Sequence, residues 1–262
     1  MATRLTILTG ASRGMGAAMA EQLLQPGSVL LCISRSANPR LETQASAAGA
    51  TLEQWTIDLA EPMAAAMRLE SWLQAQAGEA FDSASLINNA AMLTHLGPLE
   101  EADAAELSSA VRVGLEAPLL LTAAFLRATL AWRARRLGEC RVLNISSGLG
   151  RHAMASQASY CAVKAGLDHF SRSVALDQAV SQHPARIVSL APGVIDTDMQ
   201  VQLRAGDPAR FPDHARFVQF KESGQLATPA AAASKVLAFL RRADFGDKPV
   251  ADVRDAQESV RG

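Results

Sequence analysis

Thr9-Gly10-Ala11-Ser12-Arg13-Gly14-Met15-Gly16 joins an apolar run, Leu5–Thr9, to a helical pattern, Gly14–Leu24. Three glycines in a strand-to-helix turn let backbone amides and a helix N-terminus approach a pyrophosphate. The GxxxGxG spacing says little alone and much more in that setting. Outward from it, short apolar runs recur at Val29–Ser34, Leu52–Ile57, Ala84–Asn88, Arg141–Ser146, Ile187–Leu190 and Val250–Val253. Helical patterns fall at Pro62–Ala77, Ala104–Leu137, Gln157–Val180 and Pro229–Arg241. The strands are continuously apolar, as when both faces of a parallel sheet are covered. Their alternation with helices predicts one α/β domain over residues 1–262, a doubly wound parallel sheet with helices on both faces.

Bulk properties narrow the chemistry. With 262 residues, nearly half of them hydrophobic, the chain can bury a large core. A net charge of −1 gives no reason to propose nucleic acid or an anionic membrane as partner. The dense basic run Arg133, Arg135 and Arg136 closes a helical pattern, where cations complement the helix dipole. No apolar stretch reads as long enough to span a bilayer, and the N-terminus lacks a signal-peptide core. Cys32, Cys140 and Cys161 have neither metal-ligand nor disulfide spacing, which suits a reduced, cytoplasmic protein without a metal.

Tyr160 is the only tyrosine. Lys164 follows four residues later, on the same helical face, and Ser147 precedes it by thirteen. A lysine ammonium beside the phenol is expected to pull its pKa below the reference of about 10. Such a phenol exchanges a proton with a carbonyl or alcohol oxygen.

The end of the second strand bears on the cofactor. A dinucleotide site for NAD usually carries a carboxylate there to bind ribose hydroxyls. This chain has Ile33-Ser34-Arg35-Ser36 instead. Arg35, with Arg13 in the glycine turn, offers guanidinium groups for a 2′-phosphate, so NADP is expected over NAD. One interval breaks the strand–helix rhythm. Met199–Gly224 carries Gly206, Pro208, Pro212 and three of the eight phenylalanines, Phe211, Phe217 and Phe220. Loops of that length usually cover binding sites, so residues 199–224 are expected to form a substrate lid.

TGASRGMG, Asp58, Asn88-Asn89-Ala90-Ala91, Ser147, Tyr160 with Lys164, and Pro192-Gly193 with Thr197 together resemble the short-chain dehydrogenase/reductase family, in the family's order across the chain. APGVIDTDMQ and ESGQL resemble its sepiapterin reductases, and NNAAMLTHLGPLE and SSGLGRHAMASQASYCAVKAGLD its bacterial benzil reductases. The resemblance implies a Rossmann-like fold and an NADPH-dependent carbonyl reductase acting on ketones or vicinal diketones, with pterins as the alternative substrate. It implies that Ser147 binds the substrate carbonyl, Tyr160 protonates it, and Lys164 holds the nicotinamide ribose. Gly10, Ser12, Arg13, Gly14, Met15, Gly16, Ser34, Arg35, Asp58, Leu59, Asn89, Ala90, Pro192, Gly193, Val194 and Thr197 would line the cofactor.

His95, His152, Met154, Met199 and Asp252 are candidates for the substrate pocket, with Asp252 near the position where a pterin anchor would stand. Gly114 takes the place of a helical asparagine that serves proton relay in the family. That leaves room for the rival expectation of a non-catalytic dinucleotide-binding sensor, and equally for a second water beside Lys164. Ala158, Ala162, Ala165 and Gly166 would let the Tyr160 helix pack against another subunit, in a homodimer or homotetramer.

Overall fold

The computed structural model describes residues 3–76, 78–135 and 138–255. Seven parallel strands form one sheet in the order β3-β2-β1-β4-β5-β6-β7. They are β1 (Arg4–Thr9), β2 (Ser28–Ser34), β3 (Thr51–Thr56), β4 (Ser83–Asn88), β5 (Glu139–Ile145), β6 (Arg186–Ala191) and β7 (Val250–Asp252). The chain runs outward from β1 to β3 and returns to pair β4 against β1. A crevice therefore opens beyond the carboxyl ends of β1 and β4, where ligands of doubly wound sheets bind. The glycine turn leaves β1 at that point and Asn89 follows β4 there.

Each face of the sheet buries its own apolar layer. On one side α1 (Gly14–Leu23) and α10 (Pro229–Leu240) pack Met19, Val236 and Leu237 over Leu8, Leu30 and Ile87. On the other, α3 (Pro62–Gln74) and α5 (Ala117–Ala128) pack Leu69, Leu73, Leu121 and Phe125 over Ile7, Leu31 and Leu86. The single α/β domain and its doubly wound sheet match the sequence expectation.

Three features differ from it. First, α2 (Pro39–Ala48) fills a segment for which the sequence shows no helical pattern. Its signals were local: the Asn38 side chain accepts from the Arg40 amide, Pro39 opens the first turn, and Gly49 closes it at φ 65. Only Leu41 and Ala45 are buried, so the segment has almost no apolar periodicity.

Second, the long helix expected over Ala104–Leu137 is divided. The segments are α4 (Ala104–Val111), a π-helical turn over Arg112–Glu116, α5, and α6 (Leu130–Arg135); Arg136, Leu137 and Ala77 lie outside the described residues. Pro118 explains the π turn, because proline gives no hydrogen bond to the carbonyl four residues back and its ring crowds that group, here Gly114. The turn widens, and the Ala117 amide bonds to the Arg112 carbonyl instead. Contrary to expectation, Ala104–Ala128 is long and apolar enough by length and composition to cross a bilayer. In this fold its apolar face, Ala117, Leu121, Ala124 and Phe125, is wholly buried in the core.

Third, residues 199–224 are mostly helical. Here α8 (Asp198–Ala205) and α9 (His214–Glu222) flank a turn holding Gly206, Pro208 and Pro212. Phe211 stacks on Phe217 at 5.4 Å between centroids, and Phe220 meets Phe217 edge-on at 6.0 Å. With Leu203 these rings make a small third core, separate from the two main layers.

Candidate active site

A cleft of about 1060 Å³ runs along the carboxyl ends of the strands. It gathers the glycine turn, the end of β2, the segments after β3 and β4, the β5–α7 loop with α7 (Ala158–Ala179), the segment after β6, and the α8–α9 pair. Every residue expected at the cofactor or in catalysis lines it, as do His152, Met154, Met199 and Asp252. His95 does not line it. That side chain lies outside, 3.8 Å from Glu101.

The cofactor end is built from backbone. Gly10 and Gly14 take φ values of 71 and 57, which side chains rarely tolerate. A Cβ on Gly16 would lie 2.0 Å from the Gly10 carbonyl oxygen, so the turn closes only without one. Neighbouring strands brace it. The Ala11 amide donates to Ser34 Oγ at 2.8 Å, and Asn89 Nδ2 donates to the Thr9 and Gly10 carbonyls at 3.0 and 3.2 Å. Thr9 Oγ1 accepts from the Asn89 and Ala90 amides. These contacts assign Asn89 and Ser34 to shaping the turn as well as lining the cleft. The Ser146 hydroxyl, buried at the end of β5, has no partner among the described residues. The bare glycine turn, the helix N-terminus behind it and this free hydroxyl all fit a dinucleotide.

The guanidinium of Arg35 is exposed at the mouth of the cleft and has no ion pair among the described residues. Arg13 differs, because its Nη1 lies 3.1 Å from Asp198 Oδ2 across the opening. The Asp58 carboxylate receives the Ala60 amide at 2.9 Å.

Ser147 and Tyr160 both line the centre of the cleft, and Ser147 acts to lower the pKa of the phenol. Ser147 Oγ also accepts from the Leu149 amide at 3.2 Å, which caps the turn after β5. Lys164 Nζ donates to the Ile145 carbonyl at 2.7 Å and sits 5.6 Å from the centroid of the Tyr160 ring. The expected fall in the phenol's pKa is not found. Burial pushes it up to about 12, against the opposing effect of Ser147. Burial likewise brings Lys164 down to about 8, with the Asp168 carboxylate acting to raise it.

Asp168 belongs to a network that the sequence reading missed. It is 1% exposed, one turn beyond Lys164 on α7. Its Oδ1 accepts from the Ser189 hydroxyl at 2.6 Å, and its Oδ2 lies 3.4 Å from Arg151 Nε. Arg151 also donates to the Ala251 carbonyl at 2.8 Å. The four-residue step from Lys164 to Asp168 was the available signal, but its meaning depends on β6 and the β5–α7 loop coming together. Beneath it, Asn88, Asn144 and Ser171 tie β4, β5 and α7 in one buried hydrogen-bonded row.

One expectation changes. Asp252 lines the cleft, yet Arg254 holds its carboxylate through contacts of 2.8 and 2.6 Å, with Arg151 at 3.9 Å. Burial opposes ionisation, but these cations keep the group below its ordinary range. Its oxygens are thus engaged with protein rather than presented for a pterin. Gly114 faces Val163, whose Cγ1 would stand 2.5 Å from an added Cβ, so α7 packs close against this turn and an asparagine there would require Val163 to shift. Gly166 likewise packs on Leu115 of the same chain, whereas Ala162 and Ala165 remain exposed.

The sequence profile of short chain dehydrogenases matches residues 4–208. The chain belongs to that family. It is 32% identical over 242 residues to a benzil reductase ((S)-benzoin forming) of Bacillus cereus, covering 92% of this chain and 96% of that protein. A sepiapterin reductase of Meriones unguiculatus is 32% identical over 249 residues, covering 91% and 92%. Among solved structures, a short-chain dehydrogenase/reductase of Burkholderia vietnamiensis is 35% identical with a TM-score of 0.60, covering 96% of this chain and 97% of that one. Structures of the same fold include one with bound NADP and one in complex with NAD. This chain is an oxidoreductase acting on CH–OH and C=O groups, of the carbonyl reductase kind. Among the described residues no cluster of acidic, histidine or cysteine side chains forms a metal site.

Proposed function

We propose that this protein is an NADPH-dependent reductase of apolar aromatic ketones and vicinal diketones. The observation that carries the reading is the asymmetry of the cleft around Tyr160. One end is a glycine cradle, and the other is lined by Met92, Leu93, Met154, Met199, Phe217 and Phe220. A flat, apolar substrate fits such a wall, and the α8–α9 pair covers it as a lid.

NADPH supplies a hydride to the carbonyl carbon when bound. Ser147 orients the carbonyl oxygen by hydrogen bonding, and the Tyr160 O–H donates its proton to that oxygen as negative charge builds on it. A phenol raised to about 12 is fully protonated at neutral pH, which favours the reducing direction. Lys164, cationic below about 8, holds the nicotinamide ribose and offsets the charge left on Tyr160. The glycine turn takes the pyrophosphate, Thr197 the carboxamide, and Asp58 the adenine. Arg35 reads the 2′-phosphate, since no carboxylate stands at the end of β2 and its exposed guanidinium has no ion pair among the described residues. Exposed Ala162 and Ala165 offer α7 to a second copy, in a homodimer or homotetramer within the cytoplasm.

Likeness to sepiapterin reductases favours pterins as a second reading, but the engaged carboxylate of Asp252 speaks against it. The sensor alternative has no use for an intact Ser147, Tyr160 and Lys164. The test is an NADPH-oxidation screen over benzil, other diketones, aromatic ketones, quinones and pterins. We expect benzil and its relatives to be turned over best. Exclusive turnover of pterins would overturn the substrate class, and tight NADPH binding without any turnover would favour the sensor.

A further inference from the structure

We propose that Gln157 is a substrate-binding residue that reads the second oxygen of a vicinal dicarbonyl. The proposal rests on the reductase reading above and deepens it. Gln157 lines the cleft and is 3% exposed. It stands at the N-cap of α7, yet its side chain makes no capping bond. Among the described residues its amide has no hydrogen-bond partner, whereas the amides of Gln54 and Gln178 are bonded within the protein. Neither amide atom is among the sealed, unpartnered polar atoms of the described residues, so the unbonded amide opens onto the cleft, where a ligand can meet it.

The backbone before it is fixed for a purpose. Ser156 has φ 63, a left-handed conformation that residues other than glycine rarely take. Its hydroxyl donates to the Arg210 carbonyl at 2.6 Å, anchoring this corner to the segment between α8 and α9. The entry of the chain into α7, and with it the start of the Gln157 side chain, is held between β5 and the lid.

Position along α7 says which part of the ligand is met. Lys164, Tyr160 and Gln157 follow one another up the same face, each about a turn apart. Lys164 belongs to the cofactor end and Tyr160 to the reacting oxygen, so Gln157 lies one step further from the cofactor. In a 1,2-diketone the two carbonyl carbons are directly bonded. With the first oxygen between Ser147 and Tyr160, the second falls next along the helix, where the Gln157 amide N–H can donate to it. The nearby wall of Met154, Leu93 and Phe217 offers no hydrogen-bond donor and suits the flanking aryl groups.

The test compares benzil with deoxybenzoin, which keeps both aryl rings and replaces one carbonyl by methylene. The readout is the ratio of their kcat/KM values in the native protein, Gln157→Leu and Gln157→Met, with NADPH affinity measured alongside. We expect the benzil-to-deoxybenzoin ratio to fall at least about tenfold in both variants, as when a site loses its partner for one substrate oxygen. A smaller change in the ratio overturns the proposal. So does loss of NADPH binding in both variants, which would put Gln157 at the cofactor. A native protein that reduces neither compound refutes the aromatic-ketone and diketone reading of the substrate, and the proposal falls with it.

Discussion

The two ends of the cleft are made in different ways. The cofactor end is backbone held by hydrogen bonds: glycines at positive φ, with Asn89, Ser34 and Thr9 fastening the turn to neighbouring strands. The substrate end is side chain held by packing: Met199, Phe217 and Phe220 on two short helices that touch the main core little, facing Met92, Leu93 and Met154 from the loops after β4 and β5. Main-chain geometry tolerates almost no substitution, while a wall of methionine and phenylalanine can change shape at small cost. A fixed cofactor and a variable substrate call for that division. Between the ends stands α7, carrying Tyr160 and Lys164, and the buried row from Asp168 to Asp252 ties it down.

The largest effect should come from cutting the seam between the two ends. Tyr160→Phe removes the proton donor and leaves the ring, so turnover should drop by about 100- to 10,000-fold while NADPH still binds. Rapid single-turnover kinetics with a fluorescence titration of NADPH would show both. Near-native turnover would mean that the proton comes from elsewhere.

Arg35→Ala touches the cofactor end alone. Loss of a charge-assisted hydrogen bond, about 1.5–3 kcal/mol, should reduce the preference for NADPH over NADH by about tenfold or more. The KM for the ketone should hardly move. Equal weakening of both nucleotides would separate Arg35 from the 2′-phosphate.

Gly114→Asn probes how tightly α7 is held. An added Cβ meets Val163 on the very helix that carries Tyr160 and Lys164. Overpacking of this kind costs about 1–3 kcal/mol, or a drop of several degrees in Tm, and turnover should fall with it. Adding Val163→Ala should restore most of the loss. A single variant as stable and active as the native chain would show that α7 shifts freely.

The smallest effect concerns pH. The Lys164 ammonium is present below about 8 and lost as pH rises through that value, so ketone reduction should decline on the alkaline side near pH 8. Tyr160 stays protonated far beyond that point. The charged groups around Lys164 are the Asp168 carboxylate and, behind it, Arg151. Asp168 favours the ammonium, so Asp168→Asn should move the decline to lower pH, read from the pH profile of kcat. A shift to higher pH would contradict the arrangement.

Much of this was legible before any fold was seen. Continuous apolar strands, TGASRGMG and the Ser147–Tyr160–Lys164 set depend on local backbone chemistry and short spacings, and they brought nearly every expected residue into one cleft. α2 was missed because its caps are plain while its apolar signal is almost absent. The interval 199–224 read as a loop because prolines and glycines mask two short helices. His95 read as a pocket residue because its neighbours in sequence, Met92 and Leu93, line the cleft while its own side chain turns outward to Glu101.

By itself the sequence determined the alternation of strands and helices, the glycine turn, the absence of an acid after β2 and the spacing of Ser147, Tyr160 and Lys164, since each is a property of residues near one another in the chain. Only the tertiary structure decided how those groups behave. The phenol rises instead of falling because the fold buries it, and Asp252 is held as a paired carboxylate by Arg254 and Arg151. Val163 fills the space left by Gly114, and the Gln157 amide has no hydrogen-bond partner among the described residues. Burial and pairing depend on what distant segments bring to a site, and no local pattern encodes that.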